Sequence, residues 1–221
     1  MSEEVLIPKM KRLDRKQRKF KIHILNLVLI LVCVLLLVGS TFVNIDLKHY
    51  IVPSGIFSGK VFKYEDYIYG FRIIPQIPVV MFICAMLGKK MSSSCVMLYL
   101  ILGIIGLPLF ALGGGVSYIK EYSFGYLISY IPAIIVAGTF LNKKYSFVNM
   151  LLATIFGVLI IHAGGILYMI FVALIKQDGA SFISGWISSQ SGLKVAYDLV
   201  LGFVGTILGG YMNSFVKFIS D

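Results

Sequence analysis

Six long apolar runs, separated by short polar or glycine-bearing segments, organise the chain. They lie at residues 22–43, 73–88, 95–112, 123–141, 148–175 and 195–218. A helix that crosses a bilayer needs about 20 apolar residues, with a range of roughly 17–25. Each run therefore predicts a transmembrane helix. The first, with LNLVLILVCVLLLVG at its centre, is the clearest. The second is short and carries Pro75 and Pro78 near its start, where the opening turn of a helix tolerates proline. The fifth is long enough to cross at a tilt. No internal repeat or low-complexity linker divides the chain. The expected fold class is an all-α membrane protein, a bundle of about six transmembrane helices. One domain spans residues 22–218, with an enlarged first external loop at residues 44–72. A basic tail at residues 1–21 precedes it, either unstructured or laid on the membrane surface.

Composition sharpens this reading. The chain is 58% hydrophobic and only 14% charged, whereas soluble domains carry about 25% charged residues. Its mean hydropathy is +0.91. So apolar a chain cannot clothe a water-facing surface, which excludes a soluble enzyme with a large catalytic domain. A cleaved signal peptide is not expected, because the first apolar run is too long and GSTFVNID is a poor cleavage site.

The net charge of +10 is placed for a membrane and not for nucleic acid. Eight of the twenty basic residues fall in the first twenty-one positions, directly before an apolar run. Such a cluster is drawn to anionic lipid on the cytoplasmic leaflet. With the N-terminus inside, Lys89, Lys90, Lys143, Lys144 and Lys217 join it, giving thirteen basic residues inside against seven outside. Asp46, Glu65, Asp66, Glu121, Asp178 and Asp198 fall on the other side. Both termini are therefore expected in the cytoplasm.

The polar residues offer little for catalysis. His23, His49 and His162 are scattered, and HExxH, CxxC, GxSxG and P-loop motifs are absent. The expectation is no enzyme, no metal and no cofactor. Cys33, Cys84 and Cys95 lie in or beside apolar runs and read as buried, reduced thiols.

The informative residues gather toward the external ends of the spans. Asp198 lies one to two turns inside the sixth, where an ionisable group is costly and marks a functional position. The plainer alternative is an interfacial carboxylate paired with Lys194 one turn earlier. Gln76 stands between two prolines, as a ligand group or as a cap for freed backbone groups. Gly113, Gly114 and Gly115 open an external loop whose backbone can approach a ligand closely, or which simply turns. Tyr118 and Lys120 follow, then Phe124, Tyr126 and Tyr130, as pocket walls or an interfacial aromatic belt. Together they describe an outward-opening pocket with apolar walls and a few convergent polar groups. His162 is either its floor or an interhelical hydrogen-bonding residue. Gly202, Gly205 and Gly209 form a small-residue strip suited to close helix packing.

Residues 98–138, LYLILGIIGLPLFALGGGVSYIKEYSFGYLISYIPAIIVAG, resemble the signature region of the biotin-transporter substrate-binding subunits of the BioY type. PQIPVV at 75–80 and IHAGGILYMI at 161–170 look like the corresponding spans, and the likeness covers about residues 67–212. Residues 44–66 have no clear counterpart in compact members. The resemblance implies a six-helix S-component of an energy-coupling-factor transporter in the bacterial cytoplasmic membrane. Such a subunit binds biotin and delivers it inward by toppling, together with a transmembrane coupling protein and two ATPases. It implies a role for Asp198 at the ureido ring of biotin, a carboxylate accepting from N–H donors. Many members carry Lys three residues further on, where this chain has Leu201. Lys194 or Lys120 then becomes the candidate partner for biotin's carboxylate. Small residues spaced by four on the first span, associated with docking the coupling protein, are missing from LNLVLILVCVLLLVG.

Overall fold

A computed structural model describes residues 6–52, 56, 57, 59, 61–142 and 146–220. Five helices are long and apolar enough to cross a membrane: α1 (Leu6–Phe42), α2 (Gln76–Ile105), α3 (Phe124–Leu141), α4 (Phe147–Lys176) and α5 (Ala180–Ser220). The chain is an all-α, multi-span membrane bundle. Its broad apolar exterior, including Leu27, Leu35, Ile105, Leu167, Val200 and Phe215, suits contact with lipid chains.

Two spans expected at 73–88 and 95–112 are one element, α2, because the helix resumes at once after a break and leaves no loop. The break is Gly88, at φ 72° and ψ 170°, a conformation that a residue with a Cβ resists. Its two arms lie side by side. Gln76 Nε2 donates to Tyr99 Oη at 2.9 Å, although 23 residues of straight helix would hold them about 35 Å apart. Lys89 and Lys90, expected in a loop, are helical residues beyond this reversal. The second arm ends at Ile105, earlier than the expected Leu112, because Gly106 caps it at φ 124° and Pro108 follows.

Further differences concern the ends of the chain and the first loop. The basic stretch is helical from Leu6 and runs unbroken into the first span, so it is not an unstructured tail. The expected first loop, residues 44–72, is largely taken up by an antiparallel hairpin of β1 (Ile45–Tyr50) and β2 (Ile68–Ile73), with Asp46 opposite Arg72. The hairpin is tied to the bundle through His49 Nε2 and Tyr197 Oη, 2.6 Å apart. Lys143 and Lys144 lie outside the described residues.

α5 also breaks, at Gly192, where ψ is −110°. Its long C-terminal arm packs on α2 through the glycine strip. A Cβ at Gly205 would stand 2.6 Å from the carbonyl oxygen of Pro78, and one at Gly209 would be 2.8 Å from Ala85 Cβ. Glycine alone lets these backbones meet. Asn213 donates to Met86 O at 2.6 Å, and Thr154 and Thr206 share a 2.8 Å hydrogen bond between α4 and α5. The core between the helices includes Met81, Ile83, Cys84, Tyr99, Ile134 and Ile161. Cys33, Cys84 and Cys95 are buried free thiols.

Candidate ligand-binding site

At the hairpin end of the bundle, α2, α3, α4 and α5 diverge around a cavity of about 350 Å³. That lies at the small end of the roughly 300–1,000 Å³ range of small-molecule sites. Ile73, Ile77, Leu112, Leu127 and the rings of Tyr118, Tyr126, Tyr130 and Trp186 supply apolar wall. Gln76, His162, Gln190, Lys194, Arg72 and Asp198 add the polar groups.

The floor is a chain of hydrogen bonds. His162 Nε2 stands 3.1 Å from Asp198 Oδ2, and its Nδ1 stands 2.9 Å from Ser191 Oγ. Tyr126 Oη is 2.7 Å from the same Ser191 Oγ. An ionised carboxylate only accepts, so a neutral His162 carries its proton on Nε2. Donation then runs from Tyr126 to Ser191, to His162 and to Asp198. Every member is satisfied except one atom. Asp198 Oδ1 is buried without a partner. Ser191 does not line the cavity, so this trio orients a carboxylate and does not present a nucleophile.

The roof is the short arm of α5, residues 180–191, set across the mouth by the break at Gly192. Trp186 hangs from it and meets Tyr122 and Phe182 at ring-centroid distances of 5.2 and 6.0 Å. Tyr122 Oη donates to Asp178 Oδ2 at 2.7 Å, and Lys176 Nζ lies 4.0 Å over the Tyr122 ring. The bond to Asp178 pushes the Tyr122 phenol up to about 12. Among the described residues, only Asp198 Oδ1 and Trp186 Nε1 are buried side-chain polar atoms without a partner. Both residues line this one cavity. An acceptor and a donor left unpaired beside the same cavity each carry a desolvation cost of about 1–3 kcal/mol. A ligand with complementary groups would recover it.

A second network fixes the side wall. Gln76 donates from Nε2 to Thr41 Oγ1 at 2.5 Å and to Tyr99 Oη, and accepts from Tyr130 Oη at 3.2 Å. Gln76 is thus engaged on both ends of its amide. It lines the cavity and ties α1, both arms of α2 and α3 together.

Of the residues nominated from sequence, Asp198, Lys194, Gln76, Tyr118 and Tyr126 line the cavity. The glycine loop does not. Gly113 and Gly115 take φ values of 108° and 101°, while Gly114 presses on the end of α2, where a Cβ would collide with Leu107 O and stand 2.9 Å from Gly103 O. The close approach expected toward a ligand is made to a helix end, and the neighbouring Ala111 and Leu112 reach the cavity instead. Lys120 is the exposed last residue of a 3-10 turn, Val116–Lys120, and lies outside the lining. Lys194 donates to Gln190 Oε1 at 3.0 Å, and Asp198's hydrogen-bond partner is His162. Sequence reasoning missed Trp186, Gln190 and Arg72. Trp186 is the chain's single tryptophan, a signal that its placement in an apparent loop obscured. Among the described residues no group of three His, Cys, Asp or Glu is disposed to hold a metal.

Comparison with known proteins agrees with this architecture. The family model described as the BioY family matches residues 13–217. A probable biotin transporter BioY of Lysinibacillus sphaericus is 29% identical over 138 residues, 62% of this chain and 64% of that protein. The biotin transporter BioY of Thermotoga maritima is 37% identical over 86 residues, 38% of this chain and 51% of that one. The matches thus span less than two thirds of these relatives' lengths. A crystal structure of the S-component for biotin from an ECF-type ABC transporter shares the fold, with a TM-score of 0.63 at 17% identity, covering 88% of this chain and 93% of that chain. The matched region takes in every helix that builds the cavity, and on that ground the chain belongs to the BioY family.

Proposed function

We propose that this chain is the substrate-capture subunit of a vitamin uptake transporter and that the cavity binds biotin. The observation that carries this reading is the unpaired couple, Asp198 Oδ1 and Trp186 Nε1, on two residues that line one largely apolar cavity. Biotin's ureido group has two N–H donors and a carbonyl acceptor on a compact ring. Asp198 Oδ1 accepts from an N–H, and the Trp186 indole donates to an acceptor on the ligand. The tyrosine rings and Leu127 receive the apolar ring and chain. His162 holds the other carboxylate oxygen, so Oδ1 is oriented before the ligand arrives.

The reading also takes six membrane crossings, counting the two arms of α2 separately, with both termini cytoplasmic. Three contacts support it. Thr41 meets Gln76 at the cavity end, while Asn213 meets Met86 and Gly138 meets Lys89 at the other end. Lys89, Lys90 and Lys217 share that far end, as the positive-inside rule expects of a cytoplasmic face. Delivery inward then falls to a transmembrane coupling protein and two ATPases in the bacterial cytoplasmic membrane.

Binding of labelled biotin to the purified protein tests the assignment. Saturable binding is expected, displaced by unlabelled biotin and weakened least by thiamine and riboflavin, with dethiobiotin between. Displacement by thiamine but not biotin would reassign the vitamin. Absence of binding by any of these would favour a membrane assembly protein that packs partners through its glycine strip.

A further inference from the structure

We infer that Arg72, presented by the β-hairpin at the cavity mouth, is the residue that reads the ligand's carboxylate. This rests on the biotin reading above and completes it. The span that carries Asp198 has Leu201 one turn further on, so no cation stands there to meet an anionic end. Two cations line the cavity, Lys194 and Arg72. Lys194 sits one turn before Asp198 on the same helix, a rise of about 6 Å, and its ammonium is bound to Gln190 Oε1. It stands beside the acid that takes the ureido group. Arg72 comes from a different element altogether.

The hairpin holds that guanidinium in place. Asp46 is the cross-strand partner of Arg72 in the register, and its Oδ1 accepts from Arg72 Nε at 3.0 Å. The bond occupies one of five N–H donors. The terminal nitrogens keep four more, in the planar fork that matches a carboxylate. Ile73 and Ile74, next along the chain, also line the cavity, so the end of β2 is part of its wall. The link between His49 and Tyr197 ties β1 to the residue before Asp198. Donor-reading and carboxylate-reading groups are thereby held on one frame, an acid at the floor and a cation at the rim. A ligand with N–H donors at one end and an anion at the other has one orientation in such a cavity. The side chains of Arg72 and Asp46 are 62% and 66% exposed, so water competes and the effect is moderate.

The experiment compares biotin with biotin amide, in which the carboxylate becomes a neutral carboxamide, on the full chain and on Arg72→Gln, Arg72→Lys and Lys194→Gln. The wild type is expected to favour biotin by roughly three- to tenfold. Arg72→Gln should abolish most of that preference while the amide binds as before. Arg72→Lys should keep part of it, since the charge stays and the fork goes. Lys194→Gln should leave the preference in place. An unchanged preference in Arg72→Gln, or a wild type indifferent to the two ligands, overturns the assignment of Arg72 while leaving the biotin site standing. Wild type that binds neither ligand removes the biotin reading itself.

Discussion

The two ends of α5 solve opposite problems. The C-terminal end, from Gly202 onward, excludes everything. Gly205 and Gly209 lay its backbone against α2, Gly202 faces Thr154 and Val158 of α4, and the buried hydroxyls there, Thr154 and Thr206, satisfy each other. From Asp198 toward the N-terminus the same element holds the helices apart. Asp198, Lys194, Gln190 and Trp186 follow one another along it beside a cavity, and two of their polar atoms are left unpaired. The C-terminal stretch spends small residues on adhesion; the stretch from Trp186 to Asp198 keeps bulky and ionisable ones for a guest. The helix changes direction within that second stretch, at Gly192. A membrane offers no hydrophobic drive between helices. The dry seam therefore supplies the close packing on which an open cavity can be carried.

Breaking the seam should have the largest effect. In Gly209→Val the new side chain meets the Phe82 carbonyl, which cannot move aside, and Ala85 Cβ at 2.8 Å. Overpacking costs about 1–3 kcal/mol, and rigid backbone puts this variant at the upper end. Thermal unfolding in detergent should show a clear fall, with ligand affinity near normal in the protein that remains folded. An unchanged melting temperature would mean that α2 and α5 do not touch there.

Asp198→Asn tests the cavity stretch in the other direction. Replacing an oxygen by an amide loses a charge-assisted hydrogen bond, about 1.5–3 kcal/mol or ten- to a hundredfold in biotin affinity. Stability should change little, because the amide oxygen can still accept from His162. Lys194→Gln should weaken binding less. A stability loss with intact affinity would return Asp198 to the role of a packing residue.

Trp186→Phe keeps an aromatic ring and deletes the unpaired donor. Affinity should fall by roughly three- to tenfold, one neutral hydrogen bond. The unliganded protein should be no less stable, since a buried unsatisfied N–H has been removed. Equilibrium binding and thermal unfolding on the same preparation check both halves.

The smallest effect belongs to the roof. The Tyr122 phenol titrates near 12, against an ordinary value of 10.0, chiefly through its bond to Asp178. Between pH 10 and about 12 the folded chain keeps a proton that the unfolded chain has released, so this contribution to stability is full below pH 10 and declines across that window. Tyr122→Phe should flatten the decline without altering affinity at neutral pH. An identical alkaline profile in the variant would show the roof contact to be absent in solution.

Legibility in the sequence follows the range of the forces involved. Apolar runs report burial locally, so the helices of the bundle could be read directly. Asp198 stood out for the same reason, a charge among Val, Leu and Gly. The reversal at Gly88 was harder to place. Residues 89–94, KKMSSS, read as a loop, yet Ser92 and Ser94 return hydrogen bonds to Gly88 and Lys90 carbonyls and sit comfortably in a helix. The hairpin depends on pairing Asp46 with Arg72 across the long intervening segment, which no local pattern encodes. Arg72 therefore passed as an ordinary loop cation. The triple glycine was seen for what its backbone allows, but the partner of Gly114, the end of α2, is a tertiary fact. Trp186 lies in FISGWISSQSG, too polar to read as a span and too irregular to read as a helix.

The chain's single tryptophan makes its central claim directly measurable, because Trp186 hangs into the cavity. Biotin titrated into the purified protein should change Trp186 fluorescence saturably, with the same dissociation constant that labelled biotin gives, and Asp198→Asn should shift both curves together. Labelled biotin that binds tightly while Trp186 emission stays fixed would place the ligand elsewhere and contradict the cavity as its site.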